Sequence, residues 1–431
     1  MKPYAGIEDV RRPGISVKEA SQLLLRLAAV ERQLLHVGAG HLQGIPEWDV
    51  KPLVARHMWE DAEHTDQLFT RVDQLRGHAE QYLHVLRGPL GLLLEELLRA
   101  RDTVEYLAGV YGLVKPALLT AYRQYIARTN PLADQPTVRA LRAIAAEEEE
   151  QIALGAEALA ELTENAGARA RAAAWRVHLC AYLAAAGGLL GDAPGPAAPL
   201  PPPRSAEPIV ISRSSARDPR LRTTVPKQFE PGIADEVRER TIKEFWVRLV
   251  ELTAAETVAT VLHDWQGMPW PFYRDLARHC WDEVRHTLFG QSAFESEGIA
   301  IEELPHWVGY AEHQMALEPL ERYAHLAIGE NHYCRYPPGA RWDFEWMRDV
   351  AQHALFARYL DFDWADEVLH SQFGRRWVVR HGCDDDVRKA ELIKEMTDQR
   401  RREFYERWAS QHPEELSPAD AATVADRSDP T

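Results

Sequence analysis

The stretch GGLLGDAPGPAAPLPPPRSAEP, followed shortly by RSSARDPRLRTTVPKQFEPG, divides this chain. Proline at that density admits neither helix nor interior strand, so residues 188–232 are expected to form a linker extended across a surface. On either side the pattern is helical. Apolar residues recur at three- to four-residue spacing, β-branched runs are few, and Asn-Gly hairpin signals are absent. The periodicity predicts helices over 16–43, 50–76, 80–128, 135–163 and 165–187, then over 233–265, 271–297, 305–335, 342–378 and 386–411. Four long helices in each half, joined by short breaks, predict an all-α chain of two helical bundles, 1–187 and 233–411. The small, polar tail, 412–431, is expected to be disordered.

The halves resemble one another. VARHMWEDAEHTDQLF (54–69) lies over LARHCWDEVRHTLFGQ (276–291) without a gap, sharing Ala-Arg-His, Trp and His-Thr. A long helical pattern precedes each, ending in a Gln-Gly pair (Gln43-Gly44, Gln266-Gly267) and then a proline (Pro46, Pro269). These matches imply a duplicated bundle, and a repeat tells where to look in the second copy for what the first contains.

Composition narrows the function. The chain of 431 residues has a net charge of -16, which argues against nucleic acid or an anionic membrane surface as its main partner. The four cysteines (Cys180, Cys280, Cys334, Cys383) are scattered without CxxC spacing, as suits a reducing cytoplasm. The opening residues show no apolar core of a secretory leader, and no apolar run approaches the roughly 20 residues of a spanning helix. A cytoplasmic protein without membrane contact is expected.

The chemistry-bearing pattern is a pair of Glu-x-x-His motifs, Glu283/His286 in WDEVRHT and Glu367/His370 in WADEVLH. Residues three apart share a helix face, so each motif presents a carboxylate beside an imidazole. One such pair is most simply solvated; two pairs, each with an upstream Trp and an acidic neighbour, point to a shared metal. A four-helix carboxylate site also needs a lone Glu from each of the other two helices. Glu256 lies 11 residues before Gly267 and Glu283 14 residues after Pro269, about 17 and 21 Å of helix, so an antiparallel hairpin brings them level. On the remaining helix Glu330, among Tyr323, Leu326, Ala327 and Tyr333, is preferred to Glu321, whose face carries Gln314, Glu318 and His325. Pro337 and Pro338 fall close to Glu330 and demand an irregular turn there.

Glu256, Glu283/His286, Glu330 and Glu367/His370 stand in the order in which the ferritin-like di-iron carboxylate superfamily sets its ligands, and residues 233–378 resemble that superfamily. The resemblance implies two metal ions, usually iron, bridged by the Glu-x-x-His carboxylates, and chemistry on dioxygen or peroxide. Mixed imidazole and carboxylate ligands suit Fe or Mn, so Mn or a mixed Fe/Mn pair also fits. The first half departs from the pattern. It offers Asp61/His64 and Glu148/Gln151 in place of the two motifs, with Glu31 on its first helix and only Glu105 on its third. That half is expected to have lost its di-metal site and to serve as scaffold, pairing surface or substrate wall.

Other residues read more plainly. His279, one turn before Glu283, is expected to support the ligands or sit satisfied in the core, and Asp282 or Asp363 to accept the far N–H of a ligand histidine. The run AAEEEEQ (145–151) reads as a solvated face with one carboxylate turned inward, and the aromatic cluster of 264–273 as inter-helix packing. The leading expectation is a di-iron, O₂-dependent oxidase or oxygenase of a small organic substrate, served by an electron-donor protein and assembled as a homodimer. The contrasting ones are an iron-handling ferroxidase or peroxide scavenger, and a helical scaffold with a vestigial site.

Overall fold

The structure is a computed structural model and describes residues 3–195, 199–209 and 211–413. Among these residues the protein is almost wholly helical, with two three-residue strands. Among the described residues no helix is long and apolar enough to cross a membrane. The chain forms two compact units, Met1–Ile211 and Ser212–Thr431. The boundary falls inside the proline-rich stretch, and each side of that stretch is tied to its own unit. Arg204 stacks over the Trp175 ring at 3.9 Å and meets Glu105, while its backbone N–H donates to Glu96 at 2.9 Å. Arg217 and Ser215 instead pair with Glu256 of the second unit. The expected tail lies outside the described residues beyond 413.

In the first unit, leaving aside short turns, the helices are α1 (Val17–Leu42), α2 (Val50–Gln74), α3 (Pro89–Leu97), α4 (Thr103–Gly109), α5 (Lys115–Arg128), α6 (Gln135–Leu162) and α7 (Ala166–Ala185). α1 packs along α2, α5 and α2 against α6, and α4 against α7. The expected helix 80–128 is broken before α4, where Asp102 caps the new start by accepting from Glu105 N–H at 2.9 Å. A wide π-turn over Val110–Val114 joins α4 to α5 and resets the direction in which the side chains of α5 point.

The second unit holds β1 (Arg222–Thr224), α8 (Glu236–Leu249), α9 (Leu252–Asp264), α10 (Trp270–Ser296), β2 (Pro305–Trp307), α11 (Pro319–Arg335), α12 (Ala340–Asp349), α13 (Ala354–Gly374) and α14 (Val387–Gln411). α10 packs on both α8 and α9, α11 on α13, and the two pairs meet through α9 with α11 and α10 with α13. Gly290 lets α10 approach α8 closely, since a Cβ there would lie 2.4 Å from Leu249 N. Phe245, Phe294 and Phe356, all fully buried, lock these helices, with ring centroids 5.5 and 4.5 Å from Phe245.

The expected helices differ from these in two places that matter. The stretch 233–265 breaks at Val250–Glu251, between α8 and α9. The stretch 342–378 breaks at 350–353, where Gln352 takes a positive φ of 54° and His353 caps α13 through its ring. β1 and β2 pair in parallel, and Trp307 Nε1 donates to Val225 O at 2.8 Å, so the proline-rich stretch becomes a wall of the second unit.

Candidate metal centre

Helical spacing assembles the centre. His279, Glu283 and His286 share one face of α10, and Asp363, Glu367 and His370 stand at the same spacing on α13. α11 adds Glu330, and the break before α9 adds Glu251. Among the described residues these form three groups whose offered atoms lie within 4.8 Å of one another: His279, Glu283, Glu330 and His370; Glu251, Glu283 and His286; and His286, Asp363 and Glu367. Glu283 belongs to the first two. All are buried except Glu251, which is partly exposed.

The outer atoms of these side chains are braced and the inner ones are not. His370 Nε2 faces Asp282 at 3.3 Å and His286 Nε2 faces Asp366 at 3.4 Å, so each Asp serves the histidine of the opposite helix. A carboxylate only accepts, so each Nε2 donates outward and each Nδ1 is the ring atom turned toward the centre. Arg278 and Arg285 hold the two Asp residues in turn, at 2.7 and 2.6 Å from Asp282. Arg248 donates to Glu251 Oε1 at 2.9 Å and to Asp363 Oδ2 at 3.0 Å. The atoms left without a hydrogen-bond partner are Glu251 Oε2, Glu283 Oε1, His286 Nδ1, Glu330 Oε2, Asp363 Oδ1, Glu367 Oε2 and His370 Nδ1. Seven such atoms in one buried place fit a cation, because an unsatisfied buried carboxylate oxygen is otherwise costly.

The electrostatics agree with that fit. Burial opposes protonation of His279, yet Glu330 and Glu283 raise it to about 10. Burial likewise opposes a charged His286, but Asp363, Asp366 and Glu251 hold it well above its usual value. Glu367 is driven well above the carboxylate range by burial and then by Glu330, Glu283 and Asp363. Asp282 is held below its ordinary value, despite burial, by His370 and Arg278. The crowded carboxylates thus draw protons onto His279, His286 and Glu367, and a bound cation would offset the same negative charge.

Of the residues expected from sequence, Glu283, His286, Glu330, Glu367 and His370 come together here. Glu256 lies outside these groups. Both its oxygens are taken by Arg217, at 2.6 and 3.1 Å, and Ser215 adds a third contact. The hairpin count behind it holds for level but not for facing. Glu251, 16 residues before Gly267, is level with His286, 17 after Pro269, and it is Glu251 that faces the centre. Glu321 lies away from it, closing the N-terminal capping box of α11 and pairing with Arg400 at 2.8 Å. His279, expected only as support, lies 3.1 Å from Glu330 and 3.3 Å from Glu283, with its ring stacked on His370 at 3.8 Å. Asp363, expected to back a histidine, instead has its free oxygen on the inner side, 3.3 Å from His286 Nδ1. The shared spacing of Asp363-Glu367-His370 and His279-Glu283-His286 is the legible signal for both. A cavity of about 410 Å³ opens on Glu251, Glu283, Glu330 and Glu367.

The first unit carries a matching cluster of Glu31, Asp61, His64 and Glu148, all buried. Here the chain supplies a cation itself. Lys115, fully buried at the start of α5 after the π-turn, donates to Asp61 at 2.7 Å and Glu148 at 2.9 Å. His64 faces Glu31 at 3.2 Å and Glu147 at 2.8 Å. Gln151 turns to Glu60 at 2.9 Å, and Glu105 pairs with Arg204 away from the cluster. His57 meets Tyr111 at 2.8 Å as His279 meets Tyr323 at 3.2 Å. Compared with family models, curated proteins and solved structures, the chain matches none.

Two outcomes are expected of the first unit. Lys115→Met leaves buried carboxylates uncompensated and is expected to cost about 3–5 kcal/mol of unfolding free energy, read from urea denaturation. The second concerns pH. Against burial, Glu31 and Glu147 raise His64 from 6.5 to about 10, while burial raises Glu148 from 4.5 to about 8, joined by Glu31 and Asp61 and opposed by Lys115. A raised folded value means stability present below the unfolded value and lost as pH climbs to the folded one. The urea midpoint is therefore expected to fall between pH 4.5 and 10, with the part above pH 8 due to His64 and lost in His64→Gln.

Proposed function

We propose that the second unit is a ferritin-like bundle holding two metal ions, and that the protein is a di-iron oxidase or oxygenase that uses O₂ on a small organic molecule. The observation that carries this reading is the set of seven unpartnered carboxylate and imidazole atoms converging between α9, α10, α11 and α13. Glu251 and His286 would hold one ion, Glu330 and His370 the other, with Glu283 shared and Glu367 beside them. Asp363 and His279 are further donors within reach. Mixed carboxylate and imidazole donors suit Fe or Mn. Such a pair, when bound, supplies electrons to dioxygen and a place for it to react.

The protein's own part is positioning. Asp282 and Asp366 fix the tautomers and orientations of His370 and His286. Arg248 fixes the outward oxygens of Glu251 and Asp363 so that the inner ones stay free. Phe373 lies 6.2 Å from His370 and Phe289 5.7 Å from His286, apolar rings that limit water beside the ligands. The cavity beside the carboxylates supports a small-molecule substrate over iron storage, since storage requires no such chamber within one bundle.

Metal content per chain after expression with iron tests the reading. About two ions per chain are expected in the wild type, following the ligand count of such sites. Glu251→Ala and His370→Ala are expected to lose one or both. Glu256→Gln is expected to keep both, although it loosens Arg217. No metal above background in the wild type would overturn the reading. Loss in Glu256→Gln with retention in Glu251→Ala would overturn the ligand set.

A further inference from the structure

Besides the carboxylates, the lining of the cavity is cationic and aromatic. Lys227, Arg401, Trp307, Tyr310, Lys394 and Asp398 all belong to it. The charges there do not balance locally. Arg248 is spent on Asp363 and Glu251, and Lys394 on Asp398 at 2.7 Å. Asp398 is shared with His325, at 3.1 Å, and with Arg401, at 3.8 Å, and Arg401 lies 3.5 Å from His325 as well. Among the described residues Lys227 has no carboxylate within ion-pair distance, and its Nζ lies over the Trp307 ring at 5.0 Å. Lys227 is exposed to solvent, yet the surrounding walls desolvate its ammonium and, with Arg248 and Arg401 nearby, lower its pKa against the pull of Glu251.

Lys227 and Arg401 present positive charge beside two aromatic faces, and cations held by the carboxylates of the centre would strengthen it. Lys227 belongs to the proline-rich stretch, held in place by the pairing of β1 with β2 and by the Trp307–Val225 hydrogen bond. The placement of that stretch is therefore part of the chamber's chemistry.

We propose that the chamber binds a small organic carboxylate with an apolar body, its carboxylate on Lys227 and Arg401, its body against Trp307 and Tyr310, and its far end toward Glu283 and Glu330. That this molecule is the substrate rests on the metal-centre reading above; that it is an anion rests on the two cations and the rings. Arg and Lys donors to a carboxylate make charge-assisted hydrogen bonds, and an aromatic wall accepts a planar body at little entropic cost.

The test uses full-length, iron-loaded protein with metal content recorded for each sample. Calorimetric titration compares benzoate, 3-phenylpropionate and octanoate, each against its own amide. At least one acid is expected to bind roughly ten- to a hundredfold tighter than its amide, as suits a charge-assisted contact. Lys227→Met and Arg401→Met, both away from the proposed ligands and not fully buried, are expected to erase that preference, and Lys18→Met to leave it intact. Equal binding of every acid and amide, or a preference that survives both substitutions, overturns the proposal. Two metals with no acid preference would sink the substrate class alone. Acid preference in a chain that takes up no metal would leave the anion site standing and sink the oxidase reading.

Discussion

Buried carboxylates set the terms for this molecule. Each unit gathers several of them within a few ångströms, around one histidine in the first and three in the second, and a cluster of that kind persists only where positive charge balances it. The first unit solves this with a cation of its own chain. Lys115 reaches between Asp61 and Glu148 from the turn of helix that the π-segment resets, and His64 adds a second charge. The second unit places its arginines outside the cluster, on the far oxygens of Asp282, Asp363, Asp366 and Glu251, and leaves the inner atoms bare. On the proposed reading that difference separates a scaffold from a reaction centre: one copy carries its own cation and the other leaves room for metal.

The same contrast explains how much is legible in the amino-acid order alone. The all-helical class and the division at the proline-rich stretch follow from periodicity and proline density, which act locally. Glu283, His286, Glu367 and His370 are legible because one helix face fixes their mutual placement whatever the rest of the chain does. Glu256 stands apart from the cluster because hairpin counting sets level along the axis and not direction around it. The break at Val250–Glu251 decides which acid faces inward. The true partner of Glu256, Arg217, comes from 39 residues upstream, in the stretch expected only as linker.

Other residues are hidden for different reasons. Lys115 is a lone lysine in the apolar run GLVKPALL, and only packing shows that it enters the cluster. Asp282 and Asp366 stand out as acidic neighbours of the motifs, but each serves the opposite helix, a relation that spacing within one helix does not contain. The proline-rich stretch gains most from the structure. Its second part pairs as β1 with β2 and brings Lys227 to the wall of the chamber, so a segment without regular pattern lends the site its charge.

The account turns on whether two ions sit where the bare atoms converge. Anomalous diffraction from crystals grown with Fe(II) is the most direct measurement. The account predicts two peaks in the second unit, one beside His286 and one beside His370, about 3.5–4 Å apart as in two-metal sites, with Glu283 between them. Iron beside Lys115 in the first unit with none beside Glu283, or a single ion held by Glu256, would contradict it.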